Sequence, residues 1–283
     1  MHNVTKQRAR AVFAAAGGTG SLEPLAQGMS SSAWVGSIDG VEWVVRVPVA
    51  GQARPDPDYR GEARLNAALR ARGVPATETL PVEVDGTVGT IARRLPGSPV
   101  QPQEWTDEFV NDVGSALAAT HSIPAADHRL PGAVDRFYLA RLWPLDGTEL
   151  HDHPLTSRLP EHVDWVASQR ETILAEAHQP ACVVHTDLHW DHLLRTDDGR
   201  LGGLLDFGDA FEGPPAWDFA CLRYYHGHAV ARRVAAAYPG GADVLRRSTT
   251  LGIAFGLYKL DKTPDRADVI DRVAQLTKRI DRG

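Results

Sequence analysis

Three side chains in one stretch have the types and spacing for group-transfer chemistry. In residues 181–220, ACVVHTDLHWDHLLRTDDGRLGGLLDFGDAFEGPPAWDFA, Asp187 follows an apolar run in a polar loop, and His192 stands five residues on. A second apolar run, residues 201–205, delivers Asp206 at its end. One carboxylate able to take a proton from a hydroxyl, beside a carboxylate and an imidazole able to hold a divalent cation on phosphate oxygens, is the set that phosphoryl transfer needs. A single loop Asp is more often a turn or cap residue; the combination with His192 and Asp206 makes the catalytic reading the stronger one.

Such a cluster needs short strands to bring it together. Residues 182–185, 193–194 and 201–205 read as strands, with a turn at residues 197–199. Upstream, residues 4–16 read as an opening helix, and residues 22–25, 33–38, 42–48, 82–84 and 87–93 as strands separated by Gly, Pro and Asp turns. One helix, residues 58–72, interrupts them and stops at Gly73. From residue 101 the pattern turns helical, with apolar residues three and four apart over residues 106–120 and 161–178, and helices resume after Pro215. The expectation is an α+β chain: a small antiparallel lobe over residues 1–95, a Pro/Gly linker at 96–102, and a larger, mostly helical lobe over 103–283.

Asp-x-x-x-x-ligand followed by Asp-Phe-Gly is the order of a kinase catalytic loop. In this segment the chain resembles the aminoglycoside and macrolide phosphotransferases, whose loop reads H-G-D-x-x-x-x-N ahead of a metal-binding aspartate. The resemblance covers most of the chain and is strong in residues 181–220. It implies a bilobal protein-kinase-like fold, Asp187 as base, His192 and Asp206 as ligands of Mg²⁺, and GTP or ATP as phosphate donor. His192 stands where most of the family has Asn, as in the macrolide 2′-phosphotransferase branch. The same resemblance gives His185, His121 and Asp218 structural roles, the first and last bracing the loop.

The resemblance also locates a nucleotide site. The small residues Gly28, Ser30 and Ser31 lie between two strands, where backbone N–H groups can approach phosphates. The following strand, Glu42-Trp-Val-Val-Arg46-Val-Pro48, is similar to the strand that carries the phosphate-binding cation. Kinases use Lys there, but no lysine lies between Lys6 and Lys259, so Arg46 takes the place. Glu62 matches the helix glutamate that pairs with that cation, and backbone near Ala92 is expected to bind the purine. The Gly17–Gly20 stretch fails as a dinucleotide loop, since a helix precedes it and no βαβ unit follows.

The acceptor is the less legible half. Residues 201–283 hold twelve Lys/Arg against ten Asp/Glu, no acidic excess of the kind a polycationic aminoglycoside calls for. Of Trp217, Phe219, Tyr224, Tyr225, Phe255 and Tyr258, some belong to the core and a few are expected to line a broad, mostly apolar groove. With the branch features this favours the 2′-hydroxyl of a macrolide, or another uncharged glycosylated acceptor, over an aminoglycoside; Tyr224, Tyr225, Tyr258 and Asp209 are its candidate contacts. Trp190-Asp191 and Phe207-Gly208 depart from the macrolide enzymes, which have Pro-Gly and Trp at the matching places. Two rivals are weaker. A dinuclear-metal hydrolase would use Asp187, His189, Asp191 and His192, but gains nothing from Arg46 or Glu62. A silent kinase-fold binding protein has no reason to keep base and metal residues together.

Composition narrows the classes further. The net charge of −6, without a basic run, argues against a nucleic-acid partner. With no apolar stretch near the roughly 20 residues of a membrane span, and two cysteines, Cys182 and Cys221, outside any C-x-x-C pattern, the expectation is a cytoplasmic monomer with reduced thiols and no membrane partner.

Overall fold

A computed structural model of the chain describes residues 2–28, 30–49, 57–128, 130 and 150–277; Met29 and Lys278 lie outside the described residues. Helix α1 (His2–Ala15) precedes strands β1 (Glu23–Gln27), β2 (Ser31–Ile38) and β3 (Val41–Pro48), helix α2 (Tyr59–Ala71), and strands β4 (Thr79–Val84) and β5 (Thr87–Arg93). The strands form one antiparallel sheet in the order β1-β2-β3-β5-β4. Its two tight hairpins turn at Asp39-Gly40 and Asp85-Gly86, all four residues with positive φ, the geometry that suits the twist of two-residue hairpins. Ala9, Val12 and Phe13 of α1 pack on Trp34, Val45, Val47 and Ile91 to make a small core on one face of the sheet. Because side chains alternate along a strand, Arg46 between Val45 and Val47 points to the other face.

Helix α2 is capped by Asp58, whose side chain accepts the Gly61 N–H at 2.8 Å. Its buried residues include Glu62, Leu65 and Leu69. Leu65 and Leu69, with Val74 and Ala76, belong to the large core of the rest of the chain and not to the small one under α1.

After β5 the chain passes Gly97, with φ of 97°, where a Cβ would lie 2.6 Å from the Arg195 carbonyl oxygen. It continues into β6 (Ser98–Pro99), which pairs with β8 (Leu193–Arg195), itself paired with β9 (Leu201–Leu204). The remaining part is mainly helical: α3 (Asp107–His121), α4 (Leu155–Arg158), α5 (Val163–Ser168), α6 (Arg170–Ala177), α7 (Ala216–Ala236), α8 (Gly241–Lys262) and α9 (Ala267–Thr277). A two-stranded sheet of β7 (Cys182–Val184) and β10 (Phe211–Gly213) lies among them. Phe109, Leu117, Leu155, Ile173, Trp217, Phe219 and Leu257 fill the common core.

Three details depart from the sequence reading. The single helix expected over residues 161–178 breaks at Gln169, yet Val166 and Ile173 on either side are both buried; their seven-residue spacing hides the break. β7 stops at Val184, before His185, because Thr186 takes a left-handed φ of 66°. The strand β10 is too short to show a period and was not expected. Among the described residues no helix is long and apolar enough to cross a membrane.

Candidate active site

The loop after β7 is held by one buried carboxylate. Asp218, fully buried in the first turn of α7, accepts the backbone N–H of Thr186 (2.7 Å) and of His185 (3.0 Å), and meets His121 Nε2 at 2.9 Å. Burial pushes its pKa up, but the His121 contact and the other donors bring it below the ordinary Asp value. These bonds hold the β-branched Thr186 in a conformation that costs on the order of 1–3 kcal/mol. His185 spans the site: Nδ1 accepts the Asp187 N–H at 3.2 Å, so Nε2 carries the proton it donates to the Leu205 carbonyl at 2.7 Å. One ring thus ties Asp187 to the residue before Asp206. Burial lowers the His185 pKa, which keeps that ring neutral.

Asp187, His192 and Asp206 converge. His192 Nδ1 donates to the Asp187 carbonyl oxygen at 2.7 Å, since a carbonyl only accepts. The ring's lone pair is therefore on Nε2, 3.7 Å from Asp206 Oδ2. Two lone-pair atoms facing each other across that gap fit a cation between them, and Asp206 offers the oxygen ligand Mg²⁺ prefers. Asp206 itself has a left-handed φ of 61° and caps the turn Phe207–Asp209. Burial acts upward on its pKa, and Arg46 and His192 bring it below the usual range.

Asp187, His189 and His192 also gather with one ligand atom each within 4.8 Å, part of the hydrolase grouping. The tautomers argue against it. His189 Nδ1 accepts the Asp191 N–H at 3.2 Å, so its lone pair is taken and Nε2–H is what faces Asp187. The Asp191 carboxylate, the last member of that grouping, is exposed.

Arg46 bridges two carboxylates across the cleft. Nη1 meets Glu62 Oε1 at 2.5 Å and Nη2 meets Asp206 Oδ1 at 3.2 Å, with the guanidinium over the Tyr59 ring. Burial lowers its pKa, but Glu62 and Asp206 more than offset this and the group stays charged. Burial likewise pushes the Glu62 carboxyl up, and Arg46 is what keeps the pair ionic. Ser31 opens β2 opposite Pro48, and the Ser30 carbonyl accepts the Val49 N–H, so both lie at the end of the strand that carries Arg46. Ala92 lies on β5 beside Val44 and Thr79, two strands from β2.

The candidate acceptor residues divide. Tyr225 donates its hydroxyl to Asp187 Oδ1 at 3.0 Å. Tyr224 is buried against Tyr225 and Phe255, and Tyr258 lies under Lys259 and Lys262. Asp209 is exposed on the turn that α2 packs against, in the field of Glu62. Of the aromatic residues, Trp217, Phe219 and Phe255 are core, while Tyr224 and Tyr225 line a cavity. Trp190 packs edge-on to Tyr225 and His226 under the Arg272 guanidinium.

Lys259, known from the sequence only as one of four lysines, was missed. Its Nζ lies 3.7 Å from Asp187 Oδ1 and over the rings of Tyr225 and Phe255. Burial acts upward on the Asp187 pKa, yet Lys259 and the imidazoles of His192, His189 and His185 bring it below the ordinary value. No spacing links residue 259 to residue 187; the only available signal was its place among Tyr225, Phe255 and Tyr258 on helices with aromatic faces.

This fold has known counterparts. A thermostable mutant of aminoglycoside phosphotransferase APH(4)-Ia, in ternary complex with ADP and hygromycin B, superposes with a TM-score of 0.66 at 16% identity over 95% of this chain and 97% of that one. Macrolide 2′-phosphotransferase type I gives 0.60 at 19% identity over 98% and 97%. The ADP-bound aminoglycoside phosphotransferase APH(2'')-Ib gives 0.56 at 20% identity over 92% of each chain. At these identities the likeness is one of fold, the protein-kinase-like arrangement of an antiparallel sheet followed by a helical body. No curated protein matches the chain. Residues 21–249, from β1 into α8, match the phosphotransferase enzyme family, and with the match running through the strand of Arg46, the loop of Asp187 and the turn of Asp206, this chain belongs to that family.

Proposed function

We propose that the protein transfers the γ-phosphoryl group of GTP or ATP to a hydroxyl of a small molecule, with Asp187 as the catalytic base. The observation that carries the reading is the Asp187 carboxylate. It is held below its ordinary pKa, 3.6 Å from His192, whose free nitrogen faces Asp206. Asp187 accepts the acceptor's proton as the hydroxyl oxygen bonds to the γ-phosphorus; the bond from that phosphorus to the β,γ-bridging oxygen breaks, and the diphosphate leaves. His192 and Asp206 would hold Mg²⁺, which when bound neutralises phosphate charge. Arg46, fixed by Glu62, binds phosphate oxygens; Ser30 and Ser31 approach the same phosphates, and backbone near Ala92 binds the base. Asp218 and His185 position the loop. Residues 1–95 serve the nucleotide and 103–283 the chemistry and the acceptor, joined by 96–102, in a cytoplasmic monomer.

For the acceptor, His192 and the Arg46–Pro48 strand favour the 2′-hydroxyl of a macrolide. An aminoglycoside or another sugar-containing small molecule is the second candidate, and Lys259 beside the base disfavours an acceptor with ammonium groups near its hydroxyl. The ligands bound to two of these neighbours, ADP in both and hygromycin B in one, support a nucleotide-dependent antibiotic kinase as the class. The test incubates the protein with Mg²⁺ and GTP or ATP against macrolides, aminoglycosides and simple sugars, and follows the mass of each acceptor. Asp187→Asn is expected to lower turnover by about 10²–10⁴-fold while nucleotide still binds. Full turnover in that variant would remove Asp187 from the role of base.

A further inference from the structure

Helix α7 is not continuous. At Gly227 its backbone takes φ of 84° and ψ of 166°, a conformation open to glycine and strained for other residues. Beside this bend and against α9 lies a cavity of about 300 Å³ lined by Arg223, Tyr224, Tyr225, His228 and Arg272 among others. Its charge is one-sided. Arg223 is half-buried and donates through Nη1 to His228 Nδ1 (3.1 Å) and Thr249 Oγ1 (3.0 Å); among the described residues it forms no ion pair and its buried Nε–H has no partner. Arg272 stacks over Trp190 and Tyr224 and, among the described residues, hydrogen-bonds only to the Tyr224 carbonyl, at 3.5 Å. The carboxylate whose field reaches Arg272, that of Asp268, is already gripped by Arg266 at 3.0 and 2.8 Å.

A desolvated guanidinium without a counter-ion is costly unless something supplies one. Arg223 is in that position, and the half-buried Arg272 on the same cavity wall adds a second planar donor set, a match to the forked recognition of a carboxylate or phosphate. The cavity also touches the site described above. Tyr225, one of its walls, donates to Asp187 Oδ1, and Arg272 rests on Trp190, inside the loop between Asp187 and His192. Lys259 adds a third cation at the base.

We propose that this cavity is the anion subsite of the acceptor: Arg272 and Arg223 hold a carboxylate or phosphate carried by the acceptor molecule, while its hydroxyl lies at Asp187. This rests on the reading of Asp187 as the base, and it deepens the second of the two acceptor readings, a sugar-containing small molecule, by giving that molecule an acidic group.

The first measurement titrates the full-length protein with inorganic phosphate, at constant ionic strength against chloride, and follows the arginine Nε–H resonances. Arg223 and Arg272 are expected to shift saturably. Arg272→Gln, or Arg223→Gln if that variant does not fold, should weaken phosphate at least about tenfold, the loss of one charge-assisted contact. Arg246→Gln, exposed on α8 and paired with Asp243, should leave it unchanged. The absence of a saturable shift, or an Arg272→Gln variant that binds phosphate as before, overturns the subsite.

The second measurement separates an acceptor's own anion from a free one. Hydroxy acids and sugar phosphates form one pool, and uncharged sugars, amino sugars and macrolides the other, each with Mg²⁺ and GTP or ATP. Phosphorylated product from the acidic pool, with KM raised at least about tenfold in Arg272→Gln, sustains the assignment. Product from the second pool alone, or from neither, overturns it even where phosphate binds. The underlying reading fails separately: product that persists in Asp187→Asn removes the base, whatever the titration gives, whereas product lost in that variant with no arginine response removes only the anion subsite.

Discussion

Arg46 carries the most demanding prediction, because it answers two carboxylates at once. Glu62 is 5% exposed and Arg46 22%. Arg46→Gln leaves Glu62 buried with no opposite charge. Breaking a fully buried pair costs roughly 3–5 kcal/mol; with Arg46 in partial contact with solvent, about 2–4 kcal/mol is expected. Urea unfolding followed by circular dichroism reads this as a lower midpoint with an unchanged slope. The second half of the test is Glu62→Gln in the same background. If the cost is an orphaned charge, removing that charge restores stability to within about 1 kcal/mol of the wild type, while phosphoryl transfer stays lost because the cation is gone. Arg46→Lys keeps the charge but cannot fork to Glu62 and Asp206 together, so it should lie between the two. An Arg46→Gln variant within about 0.5 kcal/mol of wild type, or a double variant no better than the single, would refute the reasoning.

Lys259→Met removes the strongest of the positive charges that hold the Asp187 pKa down. The carboxylate then protonates at higher pH, so the acidic limb of the pH–rate profile should move upward; a limb that stays in place detaches Lys259 from the base. Asp218→Asn should unfold at a temperature lower by about 5–12 °C, from about 3 kcal/mol of lost charge-assisted bonds. Since the native Asp218 pKa is depressed, its contribution is present above the unfolded Asp pKa and is lost as pH falls through the native one. The difference between wild type and variant should therefore shrink in acid, as thermal scans across pH will check. Burial raises the Cys182 thiol to about 12 and Cys221 well above its ordinary value, so thiol reagents should label neither in the native protein and both in urea, as intact mass will report.

Legibility followed the distance over which the sequence has to be read. Asp187, His192 and Asp206 stand within twenty residues, on strands whose order and turns are written locally, and their convergence could be anticipated. Arg46 and Glu62 were reached through the family resemblance, Arg46 in place of the usual Lys because the chain holds no lysine in that region. The sheet was readable from alternation and its Asp-Gly turns. What stayed hidden was decided by helix packing. Lys259 on α8 reaches Asp187, and Arg272 on α9 reaches Trp190, through contacts that no periodicity encodes. The bend at Gly227 sits inside a helical pattern that continues on both sides, so an isolated glycine was its only trace. Composition could not say which aromatic residues are core and which line a cavity; burial chose the core for Trp217, Phe219 and Phe255.

Helix α2 is inserted between strands of the sheet, yet Leu65 and Leu69 are anchored in the other core. The order of the chain and the map of local stability therefore disagree. Were the sheet to open, Arg46 would leave with it and Glu62 would remain behind, so the ion pair is a clasp between two bodies that can loosen at different rates. In hydrogen exchange the α2 amides should then keep pace with α3 and α7, not with the strands that flank them in sequence.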